Sequence, residues 1–299
     1  MRPAAVSVCI VGLGLMGGSL ALALRRAGGE TGEDEPPATG PEDDFAWRVV
    51  GVDHDADNLQ AALRAGAIDA AADLTGGVRQ ANAVVLAVPV RTILSLLPQV
   101  GQAAGDGTLV LDLGSTKAPV CAAMAHLPPG LQPVGGHPMC GTEHAGFAAA
   151  HAELYRDRPF VLCPLPRTAP AGLALARRLA CAAGARPVVA QPEAHDRAVA
   201  AISHAPYAVA AALVGSVDLE GDSLAWELAA SGFRDTTRIA GSNLEVMLDA
   251  LVTNRTAVLD RLDLFTTRLA ALRGALARND EAELRSQLAA ARQRRRQLA

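Results

Sequence analysis

The stretch Val6-Ser-Val-Cys-Ile-Val-Gly-Leu-Gly-Leu-Met-Gly-Gly-Ser19 decides the fold of this chain. Residues 6–11 are an apolar run rich in β-branched side chains, which predicts a buried strand. Gly12, Gly14 and Gly17 follow at G-x-G-x-x-G spacing, and residues 20–27 are typical of a helix. A strand, this glycine loop and a helix in succession indicate a dinucleotide-binding βαβ unit.

The three glycines have separate roles in such a loop. Gly12 permits the tight turn, Gly14 lets the backbone approach a pyrophosphate, and Gly17 lets the helix pack on the strand. Free N–H groups and the positive end of the helix dipole would hold the phosphates. The alternative is a glycine-rich turn that binds no ligand.

Asp53 ends a second predicted strand, residues 48–53. Its carboxylate would accept the ribose hydroxyls of NAD and repel a 2′-phosphate, so NAD is the expected cofactor. As an alternative, Asp53 only caps the next helix. Four further cofactor contacts are predicted at the start of the first helix and at the end of a later strand: Leu15, Met16, Val88 and Pro89.

Asp53 lies farther from the glycines than the usual ~20 residues. The excess is residues 29–46, which are rich in Gly, Pro, Glu and Asp. Such a composition cannot build a core and predicts a disordered surface insertion. Without this insertion the βαβ unit has a normal length.

Composition predicts a cytoplasmic globular protein. A chain of 299 residues accommodates two domains, and its core must consist of Ala, Leu and Val because only 3% of residues are aromatic. A net charge of −4 does not suggest a nucleic acid or membrane partner. The five cysteines lack C-x-x-C spacing, so neither a disulfide framework nor a metal site is expected. No uninterrupted apolar run predicts a membrane helix, and residues 198–216 come nearest.

Strands are predicted over residues 83–88, 108–112, 132–136, 158–164 and 186–190, with helices between most of them. This alternation predicts an α/β fold, a Rossmann-type doubly wound parallel sheet, over residues 1–190. Residues 191–299 have helical periodicity and predict an all-α domain. Helices rich in Ala and Leu often bury their apolar faces against a second copy, so we expect a homodimer through this domain.

Polar residues follow two of the predicted strands at their carboxyl ends, where doubly wound folds bind ligands. His137 follows the strand over residues 132–136 and is a candidate acid–base group, or else a structural loop histidine. Ser115 follows the strand over residues 108–112, and its hydroxyl would orient the imidazole, contact the cofactor or cap the next helix.

Two motifs in the helical half also carry polar residues. His204 stands on an apolar segment, either as a ligand contact or as a core histidine with a hydrogen-bond partner. Arg238 would clamp a substrate carboxylate. Alternatively, Arg238 only pairs with Asp235, three residues earlier.

Together, these motifs resemble the prephenate/arogenate dehydrogenases of tyrosine biosynthesis. They occur in the family's order and span residues 6 to about 270. Five pieces of sequence carry the resemblance: Gly12-Leu-Gly-Leu-Met-Gly-Gly-Ser19, Gly114-Ser-Thr-Lys117, Gly136-His-Pro-Met-Cys-Gly-Thr-Glu143, Ile202-Ser-His204 and Phe233-Arg-Asp-Thr-Thr-Arg-Ile-Ala240. The third and the fifth of these are the most specific to the family.

The resemblance implies oxidative decarboxylation of a cyclohexadienyl substrate with NAD(P)+ as acceptor. It implies that His137 accepts the proton of the ring C4 hydroxyl and that Ser115 supports it. It also implies substrate contacts at His204 and Arg238, with Arg238 on a carboxylate, and residues of the pocket mouth at Thr142 and Glu143. Our own hypothesis is that Glu143 or Asp235 holds Arg238 in place, which adds Asp235 to the candidate substrate-binding residues.

Two departures from the family pattern concern the pocket wall. Tyr207 stands where many members have a second histidine, and Met247 lies near the position of a tryptophan in many members. We expect prephenate as the substrate, and arogenate, which has an amino acid side chain instead of a keto acid, stays open.

Two other classes share the glycine loop. The β-hydroxyacid dehydrogenases use a lysine in the helical domain, whereas the only lysine here is Lys117. A catalytically silent NAD-binding sensor would not need His137, Ser115, His204 and Arg238 together. Both classes are therefore disfavoured.

Overall fold

The computed structural model describes residues 5–29, 46–142, 144–218 and 223–297. Its first half is one sheet of eight strands in the order β3-β2-β1-β4-β5-β6-β7-β8. The strands are β1 Val6–Val11, β2 Trp47–Val52, β3 Ala70–Ala71, β4 Ala83–Leu86, β5 Leu109–Asp112, β6 Gln132–Pro138, β7 Pro159–Pro164 and β8 Arg186–Val189. The order of the first six strands is that of a dinucleotide-binding fold.

Six helices cover this sheet: α1 Leu15–Gly29, α2 Ala56–Arg64, α3 Leu74–Arg79, α4 Val90–Ala103, α5 Ala118–Met124 and α6 Pro170–Ala182. Their buried side chains form two cores, with α1, α2 and α6 on one face and α3, α4 and α5 on the other. Val8 and Ile10 point into the first core, and Cys9 and Val11 into the second. Because β1 is buried on both faces, its sequence is a continuous apolar run rather than an alternating one.

The predicted doubly wound architecture is confirmed, with one change in strand direction. Strands β1 to β6 run parallel, but β7 pairs antiparallel with β6, and β8 runs parallel to β7. Parallel neighbours need a crossover of a dozen or more residues, usually a helix. The chain between β6 and β7 instead forms the 3-10 turn Phe147–Ala149 and irregular loops, so it returns in the opposite direction.

The pattern also missed small features of the sheet. Strand β6 extends to Pro138, so His137 lies within the strand and pairs with Val161 instead of following the strand. Strand β3 and helix α3 were not predicted, because two and six residues are too short for a periodic signal. Most of the predicted insertion, residues 30–45, lies outside the described residues.

The second half is helical, as expected, and the predicted boundary at residue 190 lies between β8 and α7. The helices are α7 Pro192–Val199, α8 Ala205–Asp218, α9 Ser223–Glu227, α10 Ser231–Thr237, α11 Leu244–Thr253, α12 Arg255–Ala277 and α13 Glu281–Arg296. A π-helical turn, Ala200–His204, joins α7 to α8, and a 3-10 turn, Arg238–Gly241, follows α10.

One continuous helical stretch, Pro192–Val217, is long and apolar enough to cross a membrane by length and composition. It contains residues 198–216, the run that comes nearest to a membrane helix in the sequence, and it meets the criterion by length and composition only. The same test is passed by core helices of soluble proteins. This stretch carries His195, Asp196 and His204, which are buried against the rest of the chain.

Candidate active site

The glycine loop between β1 and α1 has the geometry of a phosphate cradle. Gly12 has a φ of +93°, and a Cβ there would lie 2.6 Å from the carbonyl oxygen of Ala87. A Cβ on Gly17 would lie 1.8 Å from the carbonyl oxygen of Gly12, so the helix could not approach the strand. Around Gly14 no atom of the described chain lies within 4 Å of such a Cβ. The loop is therefore closed on the protein side and open at Gly14, and a pyrophosphate group fits there.

Asp53 is held rigidly beside this loop. Its Oδ2 accepts a hydrogen bond from Leu13 N at 2.6 Å, and its Oδ1 accepts one from Asp55 N at 2.9 Å. Its side chain is only 4% exposed, while the neighbouring His54 is fully exposed. A carboxylate fixed at this point, just after β2, is suited to accept ribose hydroxyls.

The remaining predicted cofactor contacts surround the same loop. Leu15 and Met16 begin α1, and the Met16 carbonyl accepts a hydrogen bond from the buried Tyr155 hydroxyl at 2.6 Å. Val88 lies against Gly12, since a Cβ on that glycine would meet its Cγ1 at 2.6 Å. Pro89 is the residue from which α4 starts. The structure thus brings these positions together.

His137 belongs to a chain of hydrogen bonds that the sequence did not predict. Its Nδ1 lies 2.8 Å from His195 Nε2, and His195 Nδ1 lies 2.7 Å from Asp196 Oδ1. The two imidazole rings meet edge to face, with centroids 5.0 Å apart. We call these three residues the His–His–Asp triad. His195 and Asp196 are both buried.

Contacts from both halves of the chain anchor the triad. The Asp196 carboxylate accepts hydrogen bonds from the backbone N–H groups of Lys117 and Ala118, at 2.7 and 2.8 Å. These N–H groups open α5, so a residue of the helical half caps a helix of the sheet half. Asn254 donates to the Asp196 carbonyl oxygen at 2.8 Å, and its side-chain nitrogen lies 3.2 Å from His204 Nδ1.

The surroundings of the site favour the neutral forms of His137 and His204 and the ionised form of Asp196. Burial, followed by the positive charges possible on His195, Lys117 and His204, holds the pKa of His137 well below its usual value. Burial lowers the pKa of His204 to about 4. For Asp196, burial acts in the opposite direction, but hydrogen bonds from His195 and from two backbone N–H groups outweigh it and lower the pKa.

A fully buried ion pair supports the strand that carries His137. Lys117 Nζ contacts Asp112 Oδ2, and neither side chain is exposed. Asp112 also accepts hydrogen bonds from Gly114 N at 2.8 Å and from Gly136 N at 3.0 Å. The pair therefore joins the ends of β5 and β6, directly beside His137.

Neither Ser115 nor Thr142 is hydrogen-bonded to His137 in the part of the chain that the structure describes. Ser115 lies partly exposed in the turn between β5 and α5, and within the described chain the Nδ1 of His137 bonds to His195 instead. Ser115 is not the helix cap that was considered, because the Asp196 carboxylate holds the first N–H groups of α5. Thr142 lines a cavity of about 430 Å³ together with Met139, Cys140 and His151. Glu143 lies outside the described residues.

Arg238 and Asp235 lie in the helical half, on elements other than those that carry the triad. Both side chains are exposed. Arg238 lies on the 3-10 turn that packs on α8, and Asp235 lies on α10, the helix before that turn. Among the described residues they form no ion pair with each other, so the expected pairing at this spacing is not observed. The Arg238 guanidinium is therefore open to a ligand from the solvent side.

Sequence reasoning missed His195, Asp196, Asn254 and Asp112. A usable signal existed for three of them. The polar pair His195-Asp196 stands at the start of an Ala-rich segment, and Asp112 ends a strand in the same way as Asp53. Asn254 gave no signal, because it is one polar residue between two helices.

Comparisons with known proteins agree with these features. Residues 42–189 match the family model of the prephenate dehydrogenase nucleotide-binding domain, and residues 191–290 match that of the prephenate dehydrogenase dimerization domain. The prephenate dehydrogenase of Bacillus subtilis (strain 168) is 35% identical over 262 residues, which are 86% of this chain and 66% of that protein. The chain spans about two thirds of the length of the curated relatives that it matches.

Two solved structures share the complete architecture. Synechocystis arogenate dehydrogenase superposes with a TM-score of 0.81 at 30% identity, covering 98% of this chain and 100% of that one. Prephenate dehydrogenase from A. aeolicus, in complex with hydroxyphenyl propionate and NAD+, superposes with a TM-score of 0.87 at 28% identity, covering 98% of both chains.

Proposed function

This chain belongs to the prephenate dehydrogenase family, and from that premise we propose that it catalyses the NAD-dependent oxidative decarboxylation of prephenate to 4-hydroxyphenylpyruvate. One observation carries the proposal. His137, an imidazole that its surroundings keep neutral, lies at the carboxyl edge of the sheet that also bears the open glycine loop. Base and cofactor cradle thus share the edge where such folds bind ligands.

NAD fits the residues of the loop. When bound, it supplies the hydride acceptor of the reaction. The N–H groups around Gly14 and the start of α1 would hold its pyrophosphate, and Asp53 would accept the hydroxyls of the ribose. The same carboxylate would repel the 2′-phosphate of NADP.

His137 acts as the general base. A base that is neutral at pH 7 can accept the proton of the ring C4 hydroxyl as hydride leaves that carbon. Its Nδ1 is engaged by His195, so Nε2 is the nitrogen for the substrate. Loss of CO2 makes the ring aromatic, which gives a large driving force, and the protein mainly has to align the reactants.

The other predicted substrate residues orient the ring and its carboxylates. Arg238 provides two parallel N–H donors for a carboxylate. Ser115 contacts the hydroxyl end of the substrate. For His204 only Nε2 remains for a ligand, because Nδ1 contacts Asn254.

Arogenate is the second candidate substrate. The observation that favours it is the 30% identity to Synechocystis arogenate dehydrogenase over nearly the whole chain. The two substrates differ only in the side chain, which is a keto acid in prephenate and an amino acid in arogenate. The ring chemistry at His137 is the same for both.

We also propose a homodimer formed through the helical half. The match to a dimerization domain supports this, as do large apolar side chains exposed along α12: Leu259, Leu264, Phe265, Leu269 and Leu276. Light scattering at micromolar concentration should give about twice the mass of 30.7 kDa, and a monomeric mass would refute the dimer. Because the family consists of soluble metabolic enzymes, we place the protein in the cytoplasm.

The deciding experiment measures reduction of the nicotinamide cofactor with prephenate and then arogenate. We expect turnover of prephenate with NAD+ and much slower turnover with NADP+. His137→Asn should lower kcat by about 10² to 10⁴, since general base catalysis typically contributes that factor. His126→Gln, a change at an exposed histidine, is the matched control and should leave kcat unchanged. If NAD+ binds but neither substrate reduces it, the proposed dehydrogenase function is refuted, while the assignment of the cofactor site is retained.

A further inference from the structure

We propose that His195 and Asp196 are positioning residues that fix the tautomer of His137, with hydrogen on Nδ1 and a free lone pair on Nε2. The catalytic consequence rests on the function proposed above, but the tautomer itself does not. The assignment is supported by His137 in β6, by His195 and Asp196 in α7, and by the backbone N–H groups at the start of α5.

The first step is the aspartate. An ionised carboxylate can only accept hydrogen bonds. Asp196 accepts from the N–H groups of Lys117 and Ala118, and its position at the start of α5 favours the charged form. The hydrogen between Asp196 Oδ1 and His195 Nδ1 must therefore be carried by the histidine, at 2.7 Å.

The second step concerns His137, whose tautomer follows from the hydrogen on His195 Nδ1. A neutral imidazole with hydrogen on Nδ1 has an acceptor at Nε2. His195 Nε2 lies 2.8 Å from His137 Nδ1, so His137 must supply the hydrogen of that bond. Its remaining nitrogen, Nε2, is then the acceptor that a general base needs.

The third step explains why the arrangement is stable. Asp196 is held at its carboxylate by the sheet half and at its carbonyl by Asn254, the residue between α11 and α12. His195 and Asp196 are both buried, so water does not compete for these hydrogen bonds. In the opposite tautomer of His195, with hydrogen on Nε2, the lone pair of Nδ1 would face the Asp196 carboxylate, and Asp196 would lose a donor. Leaving a buried polar group unpaired is unfavourable, so the tautomer with hydrogen on His195 Nδ1 is preferred.

The test reads the tautomer directly, by ¹⁵N NMR of the imidazole nitrogens at pH 7.5 without substrate. His137 signals are assigned by their loss in His137→Asn. We expect His137 to carry hydrogen on Nδ1 in the wild type, and to populate the Nε2–H form substantially in His195→Phe, which removes the acceptor but keeps a buried ring. Hydrogen on Nε2 in the wild type would overturn the proposal even if the variant failed to fold.

Kinetics supply the second readout. His195→Phe should lower kcat at least tenfold with the Kd of NAD+ changed less than twofold. His195→Gln, whose side-chain oxygen can accept the same hydrogen, should recover most of the loss. An equal loss in both variants, or an unchanged kcat in His195→Phe, counts against the positioning role. If the NMR result holds but neither substrate reacts, the proposed function fails and the tautomer assignment stands.

Discussion

At the scale of single residues, two buried histidines set the response of this protein to acid. His204 is 2% exposed, and burial lowers its pKa from 6.5 to about 4. In the unfolded chain His204 therefore binds a proton as the pH falls below 6.5, whereas in the folded chain it binds one only near pH 4. Stability contributed by the neutral form is complete above pH 6.5 and falls as the pH drops through that window. His137 acts in the same direction.

We predict that unfolding by urea will show this linkage. Between pH 7.5 and pH 5.0 the wild type should lose stability, and His204→Gln should lose about 2 kcal/mol less, since its amide does not titrate. His126→Gln, at an exposed histidine, should lose as much as the wild type. An identical fall in His204→Gln and wild type would contradict the expected role of His204.

At the scale of elements, helix α5 is held at both ends by side chains from distant parts of the chain. Seven residues are too few for a helix that is stable in isolation. Asp196 satisfies its first N–H groups. Beyond its other end, Arg167 donates to the carbonyl oxygens of Met124, Leu127 and Leu131, at 3.1, 3.0 and 2.9 Å. Because α5 contributes Val120 and Met124 to the core, these contacts also secure the sheet.

Arg167→Lys should therefore destabilise the fold by about 1.5–3 kcal/mol, the range for hydrogen bonds to a charged group. A lysine cannot reproduce the planar fork that reaches several carbonyl oxygens at once. The urea midpoint measures the loss. Arg177→Lys, the same change at an exposed site on α6, should cost less than about 0.5 kcal/mol. Equal effects of both changes would show that the cap is unimportant.

At the scale of the whole molecule, two aspartates of the helical half dock on helix N-termini of the sheet half. Asp196 does so at α5, and Asp249 does so at α4, where it accepts from Arg91 N at 3.1 Å and contacts Arg91 Nε. Each carboxylate meets the positive end of a helix dipole. Thr116 and Thr253, whose hydroxyls are 2.8 Å apart, lie on the same interface. The orientation of the helical half over the carboxyl edge of the sheet is thereby fixed.

Asp249→Ala should lower the free energy of unfolding by about 1–2 kcal/mol, the typical cost of a lost helix cap. It should also raise the KM for NAD+, because α4 begins at Pro89, which we propose as a cofactor contact. Glu245→Ala on the same helix is the control: its carboxylate is 71% exposed and 4.0 Å from Arg91. Surface pairs of this kind contribute about 0–1 kcal/mol. A larger effect at Glu245 than at Asp249 would refute the assignment.

The sequence alone determined the features that depend on neighbours in the chain. The strand, glycine loop and helix of residues 6–27 were predicted because a turn, its glycines and the flanking periodicity are local properties. The alternation of strands and helices predicted the doubly wound sheet for the same reason, and the family motifs identified the class of enzyme.

Tertiary structure alone decided how the imidazole of His137 is held. His195 lies 58 residues from His137, and Asp196 lies 79 residues from Lys117, so no local pattern could pair them. The π-helical turn that buries His204, and the reversal of β7, likewise follow from packing and not from periodicity. Local preferences determine which elements form, but burial of distant polar groups determines which of them meet, because each such group must find a partner once water is excluded.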